Sequence, residues 1–113
     1  MFSLVFPGQG SQTIGMGKDF FENYELVKDL FKEADESLGI SLSKIILEGP
    51  KDELDLTVNT QPAIFLISYS IFQVMKKEFN MNLDNAKYFA GHSLGEVSCL
   101  AIMVCSYKFI LFL

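Results

Sequence analysis

The sequence predicts an α/β fold with a parallel sheet, and three observations lead to this prediction. Two short apolar runs, residues 2–6 and 87–90, are separated by segments with helical periodicity. A glycine-rich polar loop follows the first run, and a Gly-x-Ser-x-Gly pentapeptide follows the second. Strands that are joined through helices pair in parallel by a right-handed crossover. We therefore expect both runs to be strands of one parallel sheet.

The segment between the strands predicts several helices. Residues 24–38 carry apolar side chains at helical spacing, with Asn23 as the expected N-terminal cap and Gly39 at the C-terminal end. A shorter helix is expected over residues 42–48, followed by a helical turn around residues 52–54. The first of these is expected to be an amphipathic helix at the surface.

A long helix is expected next, with Thr60 as its cap and Pro62 in its first turn, where the missing N–H has no cost. Ten of the thirteen residues from Ala63 to Met75 are apolar and surround the helix axis. We therefore expect this helix to be buried on most sides.

The composition indicates one packed domain and argues against a nucleic-acid-binding protein. Half of the 113 residues are apolar, with 11 Phe and only 3 Pro, so a disordered chain is not expected. Nine Lys and no Arg stand against 14 acidic residues, which gives a net charge of -5 and no basic patch for phosphates. Eleven of the acids lie between Asp19 and Asp55, where they predict a solvated helical face without metal-ligand clustering.

The cysteines and the first residues indicate a cytoplasmic protein. Cys99 and Cys105 form neither a disulfide framework nor a CxxC pair, so a reducing compartment fits and zinc is not supported. Residues 1–10 lack a charged segment and a long apolar stretch, and they do not resemble a signal peptide.

The pentapeptide Gly-His-Ser-Leu-Gly at residues 91–95 predicts a nucleophile. It lies between a predicted strand and a predicted helix, which is the context of a nucleophile elbow, so Ser93 is the candidate nucleophile. The N–H of Leu94 would then point at an oxyanion forming on a substrate carbonyl. In the alternative interpretation, the pentapeptide is a strand-to-helix turn and Ser93 only caps the helix.

Three segments together resemble a known family. They are FPGQGSQTIGMG at residues 6–17, NTQPAIF at residues 59–65 and AGHSLGEVS at residues 90–98. In this order and at these spacings they resemble the N-terminal part of malonyl-CoA:acyl carrier protein transacylases and the related polyketide synthase domains. The implied fold is a partial α/β-hydrolase-like acyltransferase core with parallel strands and crossover helices.

The resemblance implies covalent two-step catalysis in fatty acid biosynthesis. Ser93 would take a malonyl group from coenzyme A as an ester and pass it to the phosphopantetheine thiol of acyl carrier protein. The two backbone amides of the family's oxyanion hole correspond to Gln9 and Leu94. No bound cofactor is implied, malonyl-CoA is the substrate, and neither nucleic acid nor a membrane is an expected partner.

His92 and Glu96 flank the nucleophile, and a structural role is the stronger expectation for both. Neighbouring side chains diverge on an elbow, so we expect His92 to pack beside the loop and to touch substrate, without acting as the base. In the family that base is a distant downstream His. The Glu96 carboxylate fits the first turn of a helix through the helix dipole.

The chain departs from the family in ways that lower the expected activity. The family holds the malonyl carboxylate with an Arg, whereas this chain has no Arg, and His92 is its single His. Val97 and Cys99 also differ from the common pattern. We expect residues 1–113 to be the N-terminal part of the large subdomain, truncated after the nucleophile helix. The small inserted subdomain and the C-terminal half would be absent, and the chain would be inactive alone.

Two alternatives stay open. The first is a small serine esterase that uses the pentapeptide, although it also needs a base. The second is a non-enzymatic module with an apolar C-terminal anchor, since 14 of the 17 residues from Val97 to Leu113 are apolar and Lys108 is the only charge. That length is at the short edge for a spanning helix.

Overall fold

The structure, a computed structural model, describes residues 2–82, 85–92, 94–95, 97–98 and 101, and the described part from Phe2 to Gly91 contains two strands and five helices. In chain order these are β1 (Phe2–Phe6), α1 (Lys18–Asn23), α2 (Glu25–Leu38), α3 (Leu42–Glu48), α4 (Lys51–Asp55), α5 (Thr57–Glu78) and β2 (Ala86–Gly91). Both predicted strands are present. Of the helices, α1 was not predicted from the sequence.

The two strands pair in parallel, as predicted. Ser3 lies opposite Tyr88 and Phe6 lies opposite Gly91, with a register shift between Phe2 and Ser3. Because parallel strands end at the same edge of a sheet, the loops that follow β1 and β2 begin side by side.

The start of α2 differs from the prediction. Asn23 is the last residue of α1, and its side-chain Nδ2 donates to the Asp19 carbonyl at 2.7 Å. Tyr24 takes the cap position of α2 and makes no side-chain capping bond. The capping prediction for Asn23 was wrong because its amide is used inside the preceding helix. The predicted end is confirmed, since Gly39 has a left-handed φ of 69°.

The start of α5 also differs. The helix begins at Thr57 rather than after Thr60, so Pro62 lies inside the helix. The Thr60 hydroxyl donates to the Leu54 carbonyl, and the Asn59 Nδ2 donates to the Glu53 carbonyl at 2.8 Å. The prediction of Thr60 as a cap was wrong because these side chains satisfy carbonyls at the end of α4 instead.

The main core lies between the helices. Its buried apolar members come from α2, α3, α4 and α5: Val27, Phe31, Leu42, Ile46, Leu54, Ala63, Leu66 and Val74. A second, smaller cluster packs Phe6 of β1 on Phe72 of α5. Every residue from Pro62 to Val74 is buried or half-buried, which confirms that α5 is enclosed on most sides.

The sheet is much less covered than the helices. Val5 is 76% exposed and Tyr88 is 63% exposed. Among the described residues, no helix combines the length and the hydropathy needed to cross a bilayer. Most of the predicted apolar tail, residues 102–113, lies outside the described residues.

Candidate functional site

The candidate site lies where β1 and β2 end. The last pair of the sheet is Phe6 with Gly91, and the His92 N–H donates to the Phe6 carbonyl at 3.4 Å. The glycine-rich loop after β1 and the pentapeptide after β2 therefore leave the sheet as neighbours. This is the edge of a parallel sheet at which α/β proteins commonly bind ligands.

Two glycines allow the backbones of these motifs to touch. A β-carbon on Gly8 would overlap the His92 carbonyl oxygen, and it would lie 3.3 Å from the His92 Nδ1. A β-carbon on Gly95 would lie 2.9 Å from the Phe6 carbonyl carbon and 3.1 Å from the Pro7 oxygen. Glycine is therefore needed at both positions for close approach.

The loop after β1 opens with a tight turn from Gly8 to Ser11. The Gly8 carbonyl accepts two hydrogen bonds from Ser11, one from its backbone N–H at 3.3 Å and one from its hydroxyl at 2.7 Å. Gly10 has a φ of 106°, a conformation that favours glycine at the third position of a turn. Gln9 lies exposed at the tip, and its Nε2 donates to the Thr57 hydroxyl at 3.3 Å.

Three side chains bind the far end of this turn to α4. The Gln12 Oε1 accepts from the Gly10 N–H at 2.8 Å, and the Gln12 Nε2 donates to Asp55 Oδ1 at 3.0 Å. The Lys51 Nζ donates to the same Asp55 oxygen at 2.6 Å and to the Gln12 carbonyl at 3.1 Å. We call Gln12, Lys51 and Asp55 the anchor network. The hydrogen bond from Lys51, and then that from Gln12, lower the pKa of the Asp55 carboxyl from its usual 3.8.

The described part of the pentapeptide forms a tight turn into a helix. The His92 carbonyl accepts from the Gly95 N–H at 3.0 Å, and the His92 side chain is exposed. Leu94 and Gly95 are helical, as are three residues after them: Val97, Ser98 and Ala101. Ser93, Glu96 and Cys99 lie outside the described residues.

The structure thus places the residue before Gln9 directly against the residue before Ser93. Catalytic or binding roles stay predictions for Ser93, Gln9, Leu94 and His92. The contacts describe where the backbone lies, and they do not test a reaction. Among the described residues, no group of three or more His, Cys, Asp or Glu side chains could hold a metal ion.

Sequence reasoning missed the anchor network. The only local signal was the spacing of Lys51 and Asp55, which are four residues apart on a short helical segment. Nothing in the sequence connects this pair with Gln12, which lies 39 residues before Lys51.

Comparison with known proteins places this geometry in a family. The sequence profile described as "Acyl transferase domain" matches residues 3–107. The chain belongs to the acyl transferase domain family. A malonyl CoA-acyl carrier protein transacylase of Haemophilus influenzae is 44% identical over 99 residues, which are 88% of this chain and 31% of the relative.

Solved structures of acyl transferases resemble the chain closely. An acyl-carrier-protein-S-malonyltransferase from Bartonella henselae superimposes with a TM-score of 0.83 at 46% identity, over 89% of this chain and 32% of its own. A malonyl-transacylase in complex with a type II polyketide synthase acyl-carrier protein gives 0.81 at 40% identity, over 92% and 32%. The chain thus spans about a third of the length of these relatives. The predicted partial α/β acyltransferase core is confirmed.

Proposed function

We propose that this chain carries the nucleophile and the oxyanion-binding amides of a malonyl-CoA:acyl carrier protein transacylase of fatty acid biosynthesis. One observation carries the proposal: the turn that bears Gln9 is seated backbone to backbone on the pentapeptide that bears Ser93, through Gly8 and His92. Relatives with 40% identity or more, named for this reaction, support the choice of substrate.

The proposed reaction has two transfers. The Ser93 oxygen attacks the thioester carbonyl of malonyl-CoA, an O–C bond forms, the C–S bond breaks, and the hydroxyl proton goes to the departing coenzyme A thiol. The phosphopantetheine sulfur of acyl carrier protein then attacks the ester carbonyl, a C–S bond forms, the C–O bond to Ser93 breaks, and the thiol proton returns to the serine oxygen. In each step the negative charge on the carbonyl oxygen is stabilised by N–H groups of Gln9 and Leu94.

We assign no general base for Ser93 within these 113 residues. His92 is the only His in the sequence, its backbone is hydrogen-bonded to Phe6 and Gly95, and it directly precedes Ser93 in the chain. Adjacent side chains on such a turn diverge, so we do not assign His92 as the base. Loss of one member of a serine catalytic unit costs on the order of 10⁴ to 10⁶ in rate, so the chain alone is expected to react slowly.

The malonyl carboxylate would find no Arg in this chain. Arg binds carboxylates through two parallel hydrogen bonds, and a surface Lys does not replace that geometry. We therefore expect these residues to discriminate weakly between malonyl and uncharged acyl groups. We further propose that residues 1–113 correspond to the first part of the large subdomain of the enzyme and that the protein acts in the cytoplasm.

The test is acylation of the purified full chain by malonyl-CoA, followed by intact mass and peptide mapping. We expect a slow adduct of one malonyl group on Ser93, sensitive to hydroxylamine, at least about 10⁴-fold slower than with the Haemophilus relative. Ser41→Ala, a change at an exposed serine that makes no side-chain capping bond, should keep the adduct, and Ser93→Ala should lose it.

Two results would contradict the proposal. An adduct that persists in Ser93→Ala, or no adduct after prolonged incubation, would remove Ser93 as the acylated residue. A rapid adduct would keep the reaction and overturn the expectation that the chain lacks an efficient base.

A further inference from the structure

The Gln9 N–H lies in the Gly8–Gln9 peptide plane, and the following Gln9–Gly10 plane restrains it through the φ and ψ angles of Gln9. A backbone amide stabilises an oxyanion only when it already points at the charge as it develops. Gln9 lies at an exposed tip and donates from its side chain to Thr57. That side-chain hydrogen bond does not fix the backbone of Gln9. The backbone conformation of this turn must therefore be held by other contacts.

Ser11 fixes the first plane. The Gly8–Gln9 peptide is trans, so the Gly8 carbonyl and the Gln9 N–H point in opposite directions. Both the hydroxyl and the N–H of Ser11 donate to that carbonyl, at 2.7 and 3.3 Å. The Gln9 N–H is thereby turned toward the opposite face of the turn, where an incoming oxygen would not compete with Ser11.

Gln12 fixes the second plane. The N–H of Gly10 belongs to the Gln9–Gly10 peptide, and it donates to the Gln12 Oε1 at 2.8 Å. A glutamine side chain has three rotatable bonds, and it holds a peptide in place only if its other end is also held. The Asp55 carboxylate holds it by accepting from the Gln12 Nε2 at 3.0 Å.

Lys51 completes the arrangement. Its ammonium group lies 2.6 Å from Asp55 Oδ1 and 3.1 Å from the Gln12 carbonyl, so it contacts both the carboxylate and the loop backbone. Hydrogen bonds to charged groups are stronger than neutral ones. Asp55 ends α4, and the neighbouring Leu54 is fully buried in the main helical core, so the network connects the turn to a rigid support.

From these contacts we infer that Lys51 and Asp55 are positioning residues for the Gln9 amide and act on it through Gln12. The importance of this amide for acyl transfer rests on the proposed function. The restraint of the two peptide planes does not depend on the proposed function, because it concerns only the conformation of the turn. No other described residue makes a side-chain hydrogen bond to the Gly10 N–H or the Gln12 carbonyl.

The first experiment measures amide hydrogen exchange and amide chemical shifts by NMR on the full chain. In Asp55→Ala and Lys51→Met, the Gly10 N–H should exchange about tenfold faster, since it loses a supported hydrogen bond. The Gln9 amide resonance should shift, while the urea midpoint of the whole chain changes only slightly, because the network is exposed at the surface. Asp55→Asn keeps an oxygen acceptor for Gln12 and should restore part of the protection.

The matched control is Asp52→Ala, which removes another carboxylate of α4 that is not hydrogen-bonded to Gln12. It should leave both the Gln9 and the Gly10 amides as in the unchanged chain. If Asp55→Ala leaves Gly10 exchange unchanged, or if Asp52→Ala alters it equally, the inference is wrong.

The second experiment compares the rate of Ser93 acylation by malonyl-CoA in the same variants. We expect about tenfold slower acylation in Asp55→Ala and no change in Asp52→Ala. If the unchanged chain forms no adduct but the exchange results hold, the proposed function fails and the positioning role stands. If Asp55→Ala changes neither the acylation rate nor the Gly10 exchange rate, the positioning role fails and the proposed function stands.

Discussion

The helical region, residues 18–78, and the strand region, which consists of β1, β2 and the turns after them, are stabilised to different extents. The main core of the helical region is a cluster of eight buried apolar residues from four helices. Among the described residues, the buried cluster of the strand region has two members, Phe6 and Phe72, and the second of these belongs to α5. The helical region therefore completes a core within this chain, whereas the strand region depends on α5.

The candidate site includes residues from both regions. The turn that carries Gln9 is connected to the helical region through the anchor network, and the pentapeptide is connected to the strand region through Phe6. Local opening costs less free energy where few apolar groups are buried. We therefore expect the pentapeptide side of the site to open more readily than the loop side.

The largest expected effect is on the helical core. Phe31→Ala removes a ring that is 1% exposed, and it should destabilise the chain by about 3 to 5 kcal/mol. Val5→Ala, at a residue that is 76% exposed, should cost less than about 1 kcal/mol. Urea unfolding followed by circular dichroism measures both. Similar losses for the two variants would mean that the regions do not differ.

A smaller effect is expected where the strand region meets the pentapeptide. Gly95→Ala places a methyl group against the Phe6 carbonyl, and the overlap should cost about 1 to 3 kcal/mol. Hydrogen exchange should accelerate in β1 and β2 and stay unchanged in α2.

Gly39→Ala is the matched variant for this prediction. Its new methyl group meets nothing within 4 Å, but its φ of 69° disfavours a side chain, with a cost of about 1 kcal/mol. Exchange should then accelerate at the end of α2 and not in the strands. A result in which both variants affect the same amides would contradict the separation of the regions.

The hydrogen bonds from Ser43 of α3 to Asp35 of α2 should contribute about 1 kcal/mol. The Asp35 carboxylate accepts from the Ser43 N–H at 2.9 Å and from its hydroxyl at 2.5 Å, so it caps α3 from a neighbouring helix. Asp35→Ala should lose about 0.5 to 2 kcal/mol, and Asp35→Asn less, because an oxygen acceptor is kept. Equal losses in Asn and Ala would show that the charge, and not the acceptor, matters.

The smallest expected effect is the pH dependence of the anchor network. Lys51 and then Gln12 lower the pKa of Asp55 from 3.8, so the folded chain releases this proton more readily than the unfolded chain. The stabilisation is present above pH 3.8 and is lost as the pH falls from 3.8 through the folded-state pKa. An NMR titration of the Asp55 carboxyl carbon should give a midpoint below 3.8, closer to 3.8 in Lys51→Met. A midpoint above 3.8 in the unchanged chain would contradict the observed hydrogen bonds.

Periodicity and glycine spacing predicted most elements but placed two helix starts incorrectly. Asn23 and Thr60 have the chemistry of N-terminal caps, and both use it on other carbonyls. A residue typical of an N-terminal cap can hydrogen-bond to any nearby backbone group. The sequence does not specify which helix provides that group. Gly39 was predicted correctly because a left-handed φ is a property of one residue and needs no partner.

The sequence alone determined the parallel strands, the α/β class and the two glycine motifs. Each of these depends on the order of neighbouring residues and on the spacing of apolar side chains along the chain. Tertiary structure decided that Gly8 meets His92, that Gly95 meets Phe6, and that Gln12 is held by Lys51 and Asp55. These contacts join residues that are 39 or more positions apart, and only the folding of the intervening helices into one core sets such distances.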